Sequence, residues 1–283
     1  MRTVNATLHN HLRTSSYITK NTANKAVRKA NKRLGPGGIL GVINFNPSPN
    51  ENDPRWNLFV DNLQYDKVNT GNGVYLPQLD ILAVRGQEVP TAENYHVLLI
   101  GTQNDQNVKN GTPLEEVLKL GNKFGAFIVE DHPFDRHGIG NYASKHSGIY
   151  EQFDAIEVFN GIAKGNVLAR EEFNRIKDEF PKLYEFASDD GHSVYEIGRS
   201  YSHIEMPSDY EIFRSFPERV VQALKDGFSS NRYKGLGHQE KGSIWGRFDH
   251  AIDLSILIGA GKILKWDSNT KTAPLLDKIG IKI

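Results

Sequence analysis

Apolar runs of strand length alternate with helical segments along most of this chain, and that rhythm constrains the fold more than any other feature. Residues 4–8, 39–45, 81–89, 96–101, 125–130, 155–159 and 202–206 read as strands. Residues 21–33, 113–120, 143–153, 169–186 and 210–226 carry helical spacing, with a short run at 187–190 after the long helix. A parallel neighbour strand requires a crossover, and a helix is its usual form, so the alternation predicts parallel β/α units. So many units favour a barrel over an open sheet. Residues 46–73, rich in Asn, Pro, Asp and Gly, read as a long loop or insertion. The pattern turns irregular from residue 229, which divides the chain into a barrel over 1–228 and an extension over 229–283 packed on it.

Composition narrows the chemistry. Lys+Arg and Asp+Glu are both 34 of 283 residues, so no global basic field is present to wrap duplex DNA. There are 0 cysteines, which excludes disulfides, thiolate metal sites and cysteine nucleophiles together. Any metal must be held by nitrogen and oxygen. The opening MRTVNATLHNH lacks the apolar stretch of a secretory signal, and the best apolar run, 252–266, is interrupted by Asp253 and Lys262. A soluble, cytoplasmic protein that spans no membrane is expected.

In parallel β/α architectures, ligands and catalytic groups collect where strands end. The first strand runs into Leu8-His9-Asn10-His11, and residues two apart on a strand share a face. The third ends in Gly86-Gln87-Glu88, with His96 after the following turn. Later strands end in Asp131-His132-Pro133, Asn160-Gly161 and Asp189-Asp190-Gly191-His192. Singly, each is ordinary: a surface acid, a loop opening at His-Pro, or a turn with Asp190 as a cap. Together they offer imidazole and carboxylate at several separate strand ends, which is metal-ligand chemistry.

These motifs, in this order, resemble the PHP (polymerase and histidinol phosphatase) family of metal-dependent phosphoesterases. Leu-His-Asn-His resembles its opening histidine pair. Arg85-Gly86-Gln87-Glu88-Val89-Pro90, followed by His96-Val97-Leu98, resembles its acidic motif. Val129-Glu130-Asp131-His132-Pro133-Phe134 resembles its His-Pro motif, and Asp190-Gly191-His192 its closing Asp-x-His. The resemblance implies an α/β fold, a distorted (β/α)7 TIM-like barrel, with metals at one end. It implies a first metal on His9, His11, Glu88 and Asp190, and a second on Glu88, His96 and His132, with Glu88 bridging. Asp190 is preferred to Asp189 because it fits the Asp-x-His spacing.

The match fails at two places. The family's second strand ends in Thr-Asp-His, whereas this one reads Asn44-Phe45-Asn46; the acid or histidine after the opening pair is replaced by Thr14-Ser15-Ser16-Tyr17. Only His192 would remain for a third ion. The expectation is therefore two divalent ions (zinc, manganese or iron), with a third weak or absent. Catalytic roles fall to Glu88, Asp190 and His192. Arg13, Arg136 and Arg199 are candidates for binding phosphate, with His137 and Lys145 weaker ones. The expected partner is a phosphorylated small molecule. A nucleic-acid end is the alternative, since Arg232, Tyr233, Lys234, Trp245 and Arg247 mix basic and aromatic residues. Two other readings are a non-catalytic module of a replication assembly and another hydrolase barrel; the latter would use a lysine where Glu88 stands.

Overall fold

The computed structural model describes residues 2–12, 18–45, 54–69, 71–206 and 233–239. Its strands are β1 (Arg2–Thr7), β2 (Gly38–Phe45), β3 (Val68–Asn69), β4 (Gly73–Leu76), β5 (Ile81–Pro90), β6 (His96–Ile100), β7 (Phe127–Glu130), β8 (Ala155–Asn160), β9 (Tyr184–Ser188), β10 (Ser200–Met206) and β11 (Tyr233–Gln239). The helices are α1 (Lys20–Leu34), α2 (Arg55–Asn62), α3 (Leu114–Lys123), α4 (Gly140–Ala143) and α5 (Asn166–Ile176), with a 3-10 turn at Ser147–Gln152.

All strands among the described residues belong to one sheet, ordered β11-β10-β1-β2-β5-β6-β7-β8-β9, with β4 beside β5 and β3 beside β4. Eight of them curl into a nearly closed barrel. At the seam, Asn10 bridges Gly191, and Ala187 N–H donates to the Ser202 hydroxyl at 3.0 Å.

The expected parallel alternation is interrupted in the barrel at β6 and β10, and beside it where β3, β4 and β11 pair antiparallel. The pairs β1–β2, β2–β5, β7–β8 and β8–β9 are parallel. β6 is antiparallel to both its neighbours, and β10 is antiparallel to β1. The turn 91–95 is too short for a crossover, so β6 folds straight back on β5. This reversal matters for the site: the start of β6 lies beside the end of β5, with Pro90 opposite His96.

Side chains alternate between two environments. Val4, Ile43, Leu82, Val84, Leu98, Ile100, Phe127, Val129, Ala155, Phe186 and Ile204 pack together from the strands alone, which places them inside the barrel. The opposite strand faces pack under α1 and α2 through Leu40, Val42 and Ala83, and under α3 and α5 through Leu99, Ile128 and Ile156. α1 is cut by its own signals. Thr19 caps Thr22 N–H at 3.1 Å, Ala23, Ala26, Val27 and Ala30 form the buried face, and Gly35 ends it at φ 78°.

Three expected elements differ. The helix expected over 169–186 stops at Ile176, because Pro181 disfavours helix in the residue before it and 184–188 pairs with β8 as β9. The helix expected over 143–153 is a short α4 and a 3-10 turn, with Gly148 inside the latter. The loop expected over 46–73 contains α2, β3 and the start of β4. The helix expected over 210–226 and the boundary at 228 lie outside the described residues, as do Arg232, Trp245 and Arg247. Part of the expected extension, β11, adds a strand to the sheet against β10.

Candidate metal centre

Inward-facing positions carry the site to one end of the barrel. On β5, Leu82 and Val84 face the interior, and two-residue periodicity brings Glu88 to the same face. The same count runs from Leu98 to His96, from Val129 to Asp131, and from Ala155 to Glu157. His9 and His11 follow β1 on a segment stitched to its neighbours: Ile43 N–H donates to Asn10 O at 2.9 Å, and His11 and Leu12 N–H donate to Gly191 O at 2.8 and 3.1 Å. Non-glycine residues held at positive φ include Leu12 (63°), His132 (23°) and Asp190 (47°), so the backbone is strained at the centre.

Four carboxylates (Glu88, Asp131, Glu157, Asp190) meet four imidazoles (His9, His11, His96, His132). Donor atoms group as Glu88, His96, Asp131 and His132; as His9, His11 and Asp190; and as His9, Asp131 and Glu157. Because the groupings share His9 and Asp131, they are not three independent sites. Glu88 stands at the junction. Its Oε2 lies 2.9 Å from His11 Nε2 and 3.9 Å from His9 Nε2, while its Oε1 contacts His96 Nδ1 and lies 3.6 Å from His132 Nε2. Asp190 Oδ1 faces His9 Nε2 at 3.3 Å and His11 Nε2 at 3.6 Å.

Asp131 Oδ1 and Oδ2 and Asp190 Oδ1 are buried without a hydrogen bond. Buried carboxylate oxygens left so are costly unless a cation meets them. Burial pushes the Asp131 carboxyl up to about 6, against the pull of His132 and His9. Burial likewise pushes Asp190 up to about 7, with His9 opposing and Glu88 reinforcing. His132 moves the other way, to about 10: burial alone would lower it, but Asp131 and Glu88 dominate. Burial opposes ionisation of Glu88 too, yet hydrogen bonds from the surrounding imidazoles hold it well below the usual range. Oxygen and nitrogen donors in this mixture, crowded and charge-hungry, fit divalent cations.

Two members of the cluster go beyond the expected ligand set: Glu157, and Asp131, which the sequence places at a strand end without a ligand role. Glu157 accepts from His132 N–H at 3.0 Å, from Asn160 Nδ2 at 2.8 Å and from the Ser188 hydroxyl, and it faces His9 Nδ1 at 3.4 Å. Burial would raise its carboxyl, but the His9 contact, the charge of His132 and the Ser188 hydroxyl bring it to about 2. Asp131 faces His9 Nδ1 at 3.2 Å. The available signal was a carboxylate inside the apolar run Ala155-Ile156-Glu157-Val158-Phe159. Asn160 also ties the strand ends together, donating to Asp190 Oδ2 at 3.1 Å while its Oδ1 accepts from Ile162 and Ala163 N–H at 3.0 and 2.9 Å.

The remaining expected residues are placed as follows. Asp189 turns away from the cluster: its carboxylate accepts from Thr7 Oγ1 at 2.9 Å and from Ser200 N–H at 2.6 Å. His192 stands beside the ligand groupings, its ring 4.6 Å from that of His11 and its Nδ1 3.0 Å from Asp190 O. His137 stacks on His96 at 4.9 Å and 9°. Arg136 is exposed in the turn after His132. Arg199 precedes β10 and lies near Lys29 of α1, whose ammonium is lowered by partial burial and by the charges of Arg33, Lys32 and Arg199. Arg13, residues 14–17 and Asn46 lie outside the described residues. Among those described, no helix is long and apolar enough to cross a membrane.

No family model matches the chain, and no curated protein matches it. Solved structures do. The lesion-specific endonuclease Endonuclease Q from Pyrococcus furiosus aligns at a TM-score of 0.55 and 13% identity, over 81% of this chain and 56% of that one. Endonuclease Q in complex with a 27-mer duplex bearing an abasic lesion at its active site aligns at 0.54 and 13%, over 81% and 57%. PsfC from Pseudomonas syringae PB-5123 aligns at 0.58 and 16%, over 93% of this chain and 100% of that one. The chain thus spans little more than half of the endonuclease. The likeness gives it a PHP-like fold.

Proposed function

We propose that this protein is a PHP-type, metal-dependent phosphoesterase whose centre takes two divalent ions. The observation that carries the reading is Glu88: each of its two carboxylate oxygens faces a different set of histidines. That is the geometry of a bridging ligand. On this reading His9, His11 and Asp190 hold one ion, and His96, Asp131 and His132 the other. Zinc, manganese and iron all suit such donors.

Two ions so placed would supply Lewis acidity, neutralising a phosphoryl group and acidifying a water for attack. The chain's own residues do the rest. Glu157 and Asn160 fix the orientation of His9, His132 and Asp190. His192, partly exposed at the rim, is placed to give a proton to the leaving oxygen. Arg13, Arg136 and Arg199 are the candidates to meet phosphate oxygens.

The substrate we favour is a phosphomonoester, such as a nucleotide or a sugar or amino-alcohol phosphate, in keeping with the neutral charge balance. A nuclease acting on nucleic-acid ends is the second reading. It is favoured by the likeness to Endonuclease Q, which is an endonuclease and has been captured on duplex DNA.

The test is a panel of phosphomonoesters, phosphodiesters and single-stranded oligonucleotides, each with manganese, zinc and iron, comparing wild type with Glu88→Gln. Turnover by the wild type and its loss in the variant are expected. Equal turnover by both would refute the centre as the place of chemistry. Cleavage of oligonucleotides alone would select the nuclease, and stable metal binding without any turnover would select a non-catalytic module.

A further inference from the structure

Arg55 opens α2 and is 2% exposed. Its Nη1 stands 3.0 Å from His11 Nδ1 and donates to Ile43 O at 2.9 Å. A guanidinium donates and never accepts. His11 Nδ1 must therefore be the acceptor, and in a neutral imidazole the single ring hydrogen then sits on Nε2. That nitrogen faces the cluster, 2.9 Å from Glu88 Oε2 and 3.2 Å from His9 Nε2.

His9 is set the opposite way. Its Nδ1 pairs with an acceptor, Glu157 Oε1, at 3.4 Å, beside the negative charge of Asp131. A hydrogen on Nδ1 is thus satisfied, and Nε2 is the nitrogen turned to the cluster, 3.3 Å from Asp190 Oδ1. This is how a metal-binding imidazole is normally backed: the outer nitrogen donates to a carboxylate or carbonyl, which orients the ring and raises its basicity. His11 has the reverse backing, a donor that is also a permanent cation. Binding an ion through Nε2 requires that hydrogen to leave while a positive charge stands behind the ring.

We propose that Arg55 makes His11 the weak ligand of the centre, so that the ion beside His9, His11 and Asp190 is held more loosely than the ion beside Glu88, His96, Asp131 and His132. Arg55 is a positioning residue, buried behind His11 and acting through it. The inference rests on reading the cluster as a metal centre. It adds that the two ion positions are unequal, and it names the side chain that makes them so.

Equilibrium dialysis and calorimetric titration of the metal-stripped chain with manganese test it. Wild type is expected to bind in two unequal steps. Arg55→Gln removes the charge and offers an acceptor to Nδ1–H, and should tighten the weaker step roughly tenfold, the lower end of what such backing residues contribute. Arg55→Lys keeps donor and charge and should behave as wild type. A second measurement does not need the variant to fold: nitrogen-15 spectra of histidine-labelled, metal-free wild type, with His11 assigned from the spectrum of His11→Ala, should show the His11 hydrogen on Nε2. Two equal steps, a weaker step unmoved or loosened by Arg55→Gln, or a His11 hydrogen on Nδ1 would overturn the inference alone. No metal binding by the wild type would overturn it together with the metal reading.

Discussion

The Glu157 carboxylate accepts the backbone N–H of His132 at 3.0 Å, so the interior of β8 holds the turn that carries a candidate ligand from β7. The same carboxylate faces His9 Nδ1 at 3.4 Å. One side chain thus orients residues from two other parts of the barrel. Glu157→Gln keeps the size and can still accept from His132, but it removes the charge that backs His9. We expect the fold to survive, and metal affinity or turnover to fall about 10- to 100-fold. Circular dichroism with metal titration checks both halves. An unchanged affinity would leave Glu157 a merely structural acid.

Most of the clustered side chains are legible in the sequence. His9, His11, Glu88, His96, His132 and Asp190 each end or begin a recognisable apolar run, and their order carried the family resemblance. Glu157 was not legible in that way, because it lies inside its strand, where an isolated acid among apolar residues reads as noise. Its meaning comes only from the parity shared with Ala155 inside the barrel. Strand direction was also hidden. A strand's apolar pattern is the same whichever way it runs, so the reversal of β6 had no sequence signature beyond the short turn 91–95. The end of α5 had one, at Pro181, outweighed by the helical spacing around it.

Gly41 shows how closely the site is built. A Cβ at this position would lie 1.9 Å from Leu8 O, directly before His9. Gly41→Ala must therefore push the end of β1 away from β2 and shift both histidines of the opening pair. Overpacking of this kind costs about 1–3 kcal/mol, and more where backbone must move. We expect a lowered midpoint in chemical denaturation, and a loss of activity larger than that destabilisation explains. A neutral Gly41→Ala would mean that the two strands can part freely.

Glu130 gives a pH dependence with a definite sign. It faces outward from β7, fully buried, and neither carboxylate oxygen has a hydrogen bond. Burial, with the charge of Glu172, raises its carboxyl from 4.5 to about 8. Between those values the folded chain keeps a proton that the unfolded chain has released. Stability therefore falls as pH rises through this window and levels off above it, at up to about 1.4 kcal/mol per pH unit. Glu130→Gln should make the slope shallower by this amount, leaving the share of Asp131 and Asp190, which burial also raises. Urea denaturation of metal-stripped wild type and variant at about pH 5.5 and about pH 8.5 measures it. Parallel slopes in the two proteins would place the titration elsewhere.

Metal removal should destabilise the chain beyond its effect on activity. With the ions gone, Glu88, Asp131, Glu157 and Asp190 remain packed at one barrel end, and two of them keep buried oxygens that no hydrogen bond satisfies. An ion that binds the folded chain at 100 times its dissociation constant stabilises it by about 2.7 kcal/mol, which for a domain of this size is a rise in melting temperature of about 5 °C or more. Thermal denaturation of the stripped chain, repeated with added manganese or zinc, should show that rise. Asp190→Asn should reduce it, since the amide keeps the shape of Asp190 but not its charge. A melting temperature indifferent to metal in both proteins would mean that the cluster's charge is balanced by protons alone, and that the orphaned carboxylates of Asp131 and Asp190 are held neutral.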